Sequence, residues 1–146
     1  MANEITIRTA TLPDARDLSE LSRISLGYDY PADKTHENLV KILQNPRAKI
    51  LAAECDRRVA GYIHGELYEL TFSDLRVNVL ALAVSPDFQR RGIGRALLTA
   101  MEAWAKKQNA AGIRLTSNVV RTGAHAFYKN CGYESHKTSK GFSKLF

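Results

Sequence analysis

The sequence predicts an α/β fold in which a mixed sheet carries helices on both faces. Three observations lead there. Apolar periodicity alternates between the strand and helix repeats in the order β-α-α-β-β-β-α-β-α-β-β. Leu75–Val84 is the most apolar strand-like run, and its Val/Leu content predicts a central strand buried on both faces. Directly after it, residues 92–108 place Ile93, Leu97, Ala100, Met101 and Trp104 at helical spacing, the pattern of a strongly amphipathic helix.

The other elements follow in chain order. Residues 4–9 alternate Ile5 and Ile7 with polar neighbours, as a half-buried strand does. Thr11 then caps a helix with Pro13 in its first turn; Leu18, Leu21 and Ile24 share one face, and the helix ends near Gly27. A loop with Tyr28 and Tyr30 leads to a second helix over about 33–44, halted before Asn45-Pro46. Residues 48–55 and 58–67 flank a turn at Asp56-Arg57, which predicts a hairpin. Beyond the amphipathic helix the expectation is a strand at 112–117, a short helix at 123–130, and a terminal strand pair formed by 133–137 and 141–146.

The 146 residues, 45% of them hydrophobic, suit a single domain over 1–146, a size that buries roughly 68 to 70% of the unfolded surface. No apolar run reaches the length of a membrane span, so no membrane partner is expected. Met1 to Arg8 lacks the apolar core of a signal peptide, which predicts a cytoplasmic protein. Cys55 and Cys131 have no CxxC or Cys/His spacing and are expected to be reduced thiols. His36, His64, His125 and His136 show no helical metal pair, so no metal is expected. A formal charge of +6 fits a nucleic-acid surface, an anionic cofactor or a solvated basic face. No RNP-type aromatic string or recognition-helix pattern is present, so nucleic acid is not the expected partner. Positive charge gathers instead as Arg90, Arg91 and Arg95, with the neutral Gln89 beside them, around Gly92 and Gly94, which points to phosphate.

Those two glycines open the amphipathic helix. Glycine there leaves backbone N–H groups unobstructed, and they join the positive end of the helix dipole to suit a pyrophosphate. The string is not a dinucleotide fingerprint, because Leu97 stands where the third glycine belongs, and it is not a P-loop. Glycines serving only close packing are the bland alternative. The wider string Gln89-Arg90-Arg91-Gly92-Ile93-Gly94 resembles the Q/R-x-x-G-x-G/A coenzyme A signature of the GNAT acetyltransferases. About 30 residues on, Ala124-His125-Ala126-Phe127-Tyr128-Lys129-Asn130-Cys131-Gly132-Tyr133 is similar to that family's A-x-x-F-Y-x-x-x-G-F/Y motif. The resemblance runs well from about Arg58 to Tyr133, and over the N-terminal helices by element order only.

The resemblance implies a mixed, mostly antiparallel sheet with a splayed central strand, acetyl-CoA as cosubstrate, and an N-acetyltransferase that moves an acetyl group to a primary amine by direct attack in a ternary complex. It gives Leu82, Ala83 and Val84 the role of pairing pantetheine through the main chain. Gln89, Arg90, Arg91, Gly92, Ile93, Gly94 and Arg95 hold the pyrophosphate, Tyr128 is the acid for the leaving thiolate, and a main-chain N–H at Val84 serves the oxyanion. Many relatives carry Asn where this chain has Arg121, a departure at a cofactor-touching position. The acceptor is a small-molecule or protein amine, and a homodimer formed by exchange of the terminal strand pair is one arrangement the order allows. A non-catalytic acyl-CoA-binding sensor is the alternative, and Tyr128 in its motif place argues against it.

Between Val59 and Leu75 there is no Lys or Arg, while Glu66, Glu69 and Asp74 occur with Tyr62, His64 and Tyr68. That stretch predicts an acidic wall toward a cationic acceptor, with Glu66 first and Glu69 second as binding or base residues. Simple surface carboxylates are the other reading. A Cys131/His125 acyl-enzyme pair is disfavoured.

Overall fold

The computed structural model describes residues 4–146. Two compact units divide the chain, one ending at Leu115 and the other running from Thr116 to Phe146.

The first unit holds a five-stranded sheet whose strands lie in sequence order: β1 (Thr6–Thr9), β2 (Ala48–Cys55), β3 (Arg58–Leu70), β4 (Ser73–Val84) and β5 (Gly112–Leu115). β1 to β4 pair antiparallel, and β5 runs parallel to β4. That change of direction needs a crossover, supplied by α3 (Ile93–Lys107). The β2–β3 turn is tight because Asp56 and Arg57 both adopt left-handed backbone, at φ 54° and 62°, the geometry that matches strand twist in a two-residue loop.

α1 (Ala15–Leu21) and α2 (Ala32–Leu43) follow β1. Asp14 anchors their start: its carboxylate is 5% exposed and accepts from the Thr11 N–H at 2.7 Å and from both Arg8 amino groups at 2.7 and 2.9 Å. The Arg8 guanidinium holds Asp14 below the usual carboxylate range against its burial. α1 does not stop at Leu21 but loosens into a π-helical turn, Ser22–Leu26, closed by Gly27 at φ 78°. The sequence pattern reads this whole stretch as one helix ending near Gly27, and its end is met while its widening is not.

α3 covers one face of the sheet and α1 with α2 the other, as expected. On the α3 side Ile93, Leu97, Leu98 and Met101 are buried, as are Ile63 and Val77 of the sheet. Gly61 and Gly65 make the approach close: a Cβ on Gly61 would lie 2.7 Å from the Ala83 carbonyl oxygen, and one on Gly65 2.8 Å from the Met101 sulfur. On the other side Leu18, Leu21, Leu39, Ile50, Tyr62 and Ala83 form the core. β4 departs from the expectation of burial on both faces. Val77, Val79 and Ala83 are buried, but Arg76 and Leu80 are exposed, because a register shift at Leu80 turns that side chain outward.

In the second unit α4 (Thr122–Asn130) forms as expected. The terminal strand pair does not: residues 133–146 contain no strand. Glu134 to Lys140 is an unbroken polar run without alternation, and a lone hairpin has too little apolar surface to hold itself. Phe142 and Leu145 are 90% and 94% exposed. An exchange of terminal strands between copies therefore has no strands to act with. Among the described residues, no helix is long and apolar enough to cross a membrane.

The two sheet glycines give a contrast. Gly61→Ala meets main chain and should cost about 1–3 kcal/mol, as overpacking does, whereas Gly65→Ala meets a flexible thioether and should cost less. Urea midpoints at unchanged slope measure both, and equal losses would contradict the packing account.

Candidate active site

The site begins where two strands part. β4 pairs β5 from Arg76 to Val79 and no further, while β3 keeps its hold on β4 up to Val84. The division falls at Leu80, the residue skipped in the β3–β4 register between Gly65↔Val79 and His64↔Ala81. Past that bulge one edge of β4 stands open.

The ladder tells which groups face the opening. The Ser85 N–H donates to the Ala60 carbonyl at 2.7 Å, so the alternation of an antiparallel pair points the main-chain groups of Ala83 and Ala81 toward β3 and those of Val84 and Leu82 away from it. Leu82 and Val84 thus carry the open-edge groups expected of residues 82–84. Ala83 does not: its main chain is spent on β3 and its side chain is 1% exposed in the core. The Val84 carbonyl accepts from the Ser25 hydroxyl at 2.8 Å and the Gln89 amide at 3.3 Å, which leaves the Val84 N–H as the group directed into the opening. Ser25 lies on the π turn, 59 residues away in sequence.

A short 3₁₀ turn, Pro86–Phe88, leads from β4 to α3. Phe88 is buried between the guanidiniums of Arg58 and Arg91, at 4.9 and 5.1 Å from its ring centre. Arg91 also reaches Asp56 at 3.4 Å, and Arg58 reaches Asp87 at 3.1 Å. Arg91 is thereby drawn back toward the β2–β3 turn, and its charge is shared with a carboxylate. Arg90 at φ 62° and Gly92 at φ 79° are both left-handed, curling the chain at the mouth of α3. The first intrahelical bond runs from the Ala96 N–H to the Gly92 carbonyl at 2.9 Å, so the N–H groups of Ile93, Gly94 and Arg95 precede it and lie at the positive helix end. Ile93 contributes only its main chain, since its side chain is 1% exposed beneath α3.

Even-numbered residues of β3 face α1 and α2. The Tyr62 hydroxyl lies 2.6 Å from the Ser22 hydroxyl, and Ser22 donates to the Leu18 carbonyl at 2.8 Å, so Tyr62 is the donor to Ser22. Burial pushes the Tyr62 phenol up and the His64 imidazole below its usual value, with Glu66 pulling His64 the other way. Glu66 stands opposite Asn78, one step below the parting strands. Glu69 and Asp74 lie farther along, toward the β3–β4 turn. Three residues of strand put Glu69 about 10 Å beyond Glu66, and it is exposed and paired with Arg47 at 2.7 Å. The acidic wall expected from the Lys/Arg-free stretch is therefore broken. Arg47 comes in from the loop before β2, and Arg114 comes in from β5 to hydrogen-bond Asn78, so that of the three carboxylates Glu66 stands beside the opening while Glu69 and Asp74 do not.

The second unit explains its motif by capping. α4 ends in a pair of bonds, Gly132 N–H to the Lys129 carbonyl and Tyr133 N–H to the Tyr128 carbonyl, both 3.0 Å, with Gly132 at φ 91°. This is the Schellman arrangement, which requires a left-handed residue at that position and favours contact between its two flanking side chains. Tyr133 and Tyr128 supply that contact, edge to face at 6.1 Å, with Phe127 at 5.3 Å on the other side. The Gly-Tyr pair thus sets the Tyr128 ring. Burial raises the Tyr128 phenol above its usual value, Arg121 lowers it, and Cys131 raises it. His125 bonds the Asn118 carbonyl at 2.9 Å. Cys131 follows it by six residues, which at 100° per residue points the two to different sides of the helix axis.

The family model described as "Acetyltransferase (GNAT) family" matches residues 15–133. An N-alpha-acetyltransferase of Sulfurisphaera tokodaii is 31% identical, over 95% of this chain and 86% of its own. An aminoglycoside N(6')-acetyltransferase type 1 of Stenotrophomonas maltophilia is 30% identical, over 92% of this chain and 89% of its own. Among solved structures, an aminoglycoside N-acetyltransferase in complex with CoA has the same fold with a TM-score of 0.87 at 17% identity, covering 99% of this chain and 97% of that one.

Gly92 separates phosphate binding from packing. A Cβ there meets nothing within 4 Å, so the cost of Gly92→Ala is its left-handed backbone alone, about 1–2 kcal/mol. CoA affinity by calorimetry should fall about tenfold or more as the helix mouth reopens, a loss equivalent to one charge-assisted hydrogen bond. Unaltered affinity in a folded variant would remove the helix mouth from the binding site.

Proposed function

This chain belongs to the GNAT acetyltransferase family and is an acetyl-CoA-dependent N-acetyltransferase acting on an amine, and from that premise we propose how its residues divide the work. The observation that carries the reading is the open edge of β4, with Leu82 and Val84 directing main-chain groups outward immediately before the left-handed start of α3. An extended pantetheine pairs with that edge as a strand would, and its pyrophosphate ends on the N–H groups of Ile93, Gly94 and Arg95. Arg90, Arg91 and Arg95 add positive charge, and Gln89 works by holding the Val84 carbonyl.

The amine attacks the thioester carbon, and the new C–N bond sends the carbonyl pair onto oxygen. The Val84 N–H stabilises that oxyanion, a donor fixed in advance because Ser25 and Gln89 occupy the carbonyl of the same residue. Collapse breaks the C–S bond, and the thiolate takes the phenolic proton of Tyr128. A phenol raised by burial stays protonated through neutral pH, the state an acid needs. On the acceptor side Glu66 holds the ammonium, and His64, kept neutral by burial on the same face, takes the proton that the nitrogen must lose before it attacks. The second proton of that nitrogen returns to the Tyr128 phenolate once the thiolate has left. Glu69 has no part, being engaged with Arg47. A purely acyl-CoA-binding sensor is disfavoured, since it needs neither the phenol nor its cap.

Acetyl-CoA should raise the melting temperature, because binding to the native state alone adds about 2.7 kcal/mol at 100 times Kd. No shift at millimolar acetyl-CoA would refute the cosubstrate assignment for these residues.

Tyr128→Phe should keep acetyl-CoA affinity and lower kcat by roughly 10² to 10⁴-fold, the range of general acid catalysis. Turnover equal to the parent would mean that the thiolate leaves without it.

A further inference from the structure

We propose that Arg114 is an anion subsite on the acceptor face, so that the preferred amine also carries a carboxylate close to its reacting nitrogen; the proposal rests on the acetyl-transfer reading above. The row of the sheet just below the parted strands runs Glu66, Asn78, Arg114, since Glu66 pairs with Asn78 and Asn78 with Arg114. Residues of one row share a face, so an acid and a guanidinium flank Asn78 two strand spacings apart, about 10 Å at the backbone. That span matches an acceptor whose ammonium and carboxylate are separated by a residue or two.

Arg114 is built to receive something. Its guanidinium lies over the Tyr68 ring at 4.7 Å and donates from Nη1 to the Asn78 amide oxygen at 2.7 Å. Both contacts fix the plane of the fork, and most of its N–H donors are left over. The residue is half-buried, so those donors have lost part of their water. Arg8, Arg23, Arg47, Arg58 and Arg91 each reach a carboxylate of this chain, while among the described residues none reaches Arg114. A flat, stacked, partly desolvated guanidinium with its edge unspent is the geometry that takes a carboxylate through two parallel bonds.

The anion belongs to the acceptor and not to the cosubstrate. Tyr68 and Glu66 stand on the side of β3 opposite Gly65, and Gly65 faces Met101 of α3. The helix mouth that suits the pyrophosphate starts that same α3, whereas Arg114 faces the other way.

The test uses the full-length enzyme, thiol release from acetyl-CoA, and two matched pairs of acceptors. Glycylglycine against its C-terminal amide offers or removes a terminal carboxylate, and glycylglutamate amide against glycylglutamine amide does the same for an acidic side chain. The expected result is a preference for the carboxylate member of at least one pair by about 10- to 100-fold in kcat/KM, mostly through KM, as one charged bidentate contact gives. Which pair shows it identifies the source of the carboxylate. In Arg114→Gln the ratio within that pair should fall to near one, and in Arg114→Lys, which keeps charge but loses the fork, it should fall part of the way. Equal kcat/KM for both members of both pairs in the parent enzyme, or a preference undiminished in Arg114→Gln, overturns the subsite. Should Arg114→Gln fail to fold, the parent's ratios and Arg114→Lys decide alone. Turnover of a polyamine or an aminoglycoside with none of the four peptides also overturns the subsite while sparing the enzyme. Turnover of no amine at all, with acetyl-CoA bound, overturns the acetyl-transfer reading and the subsite together.

Discussion

One extra residue in β4 sets the conditions for everything around it. Leu80 has no place in the β3–β4 register, and where it bulges, β4 must choose between its two neighbours. It stays with β3, because Tyr62, Ile63 and Ala83 are held in the two cores on either side of the sheet. It leaves β5, a strand of only four residues, Gly112–Leu115, whose pairing with β4 ends at Val79. An unpaired inner edge of a sheet leaves N–H and C=O groups without partners, a standing cost in most proteins. Here those groups are alternate residues, Leu82 and Val84, and in the proposed reading an extended ligand backbone satisfies them in the way a missing strand would.

The open edge would be of little use if it wandered. The N-terminal helices are tied to it through polar contacts on the widened turn after α1. Ser22 accepts from Tyr62 on β3, and Ser25 donates to Val84 on β4. A regular α-helix places residues three apart 300° around its axis, and widening to a π turn changes which side chains meet the sheet. Asp14, clamped by Arg8 of β1, fixes the other end of the same helical segment. The N-terminal helices and the two strands beside the opening are thus joined by named hydrogen bonds, which give the region its fixed shape.

What the sequence disclosed and what it hid divide along the range of the interactions. Local features were legible. The Asp56-Arg57 turn, the glycine at the mouth of α3, the stripe of Ile93, Leu97 and Met101, and the helix ending at Gly132 each depend on residues within a few positions of one another. The terminal strand pair does not form, since apolar Phe142 and Leu145 suggest a strand while a strand needs a partner that Glu134–Lys140 cannot supply. A motif names Ala83 together with Leu82 and Val84 as one stretch, whereas a ladder uses every second residue of it. Ser25 left no signal at all, since its partner is 59 residues away and is a main-chain oxygen.

The charges show the same division in sharper form. A run of sequence without Lys or Arg reads as an acidic surface, yet strands bring residues from elsewhere to lie beside it. Glu69 acquires Arg47 from 22 positions away, and Asn78 acquires Arg114 from 36. The field at a sheet surface is set by rows that cross strands, and the net charge along one strand is a poor guide to it. For this enzyme the difference is chemical: a strand read alone gives a site for a cationic acceptor, while the row Glu66, Asn78, Arg114, as proposed, meets a positive and a negative group of the same small molecule or chain end.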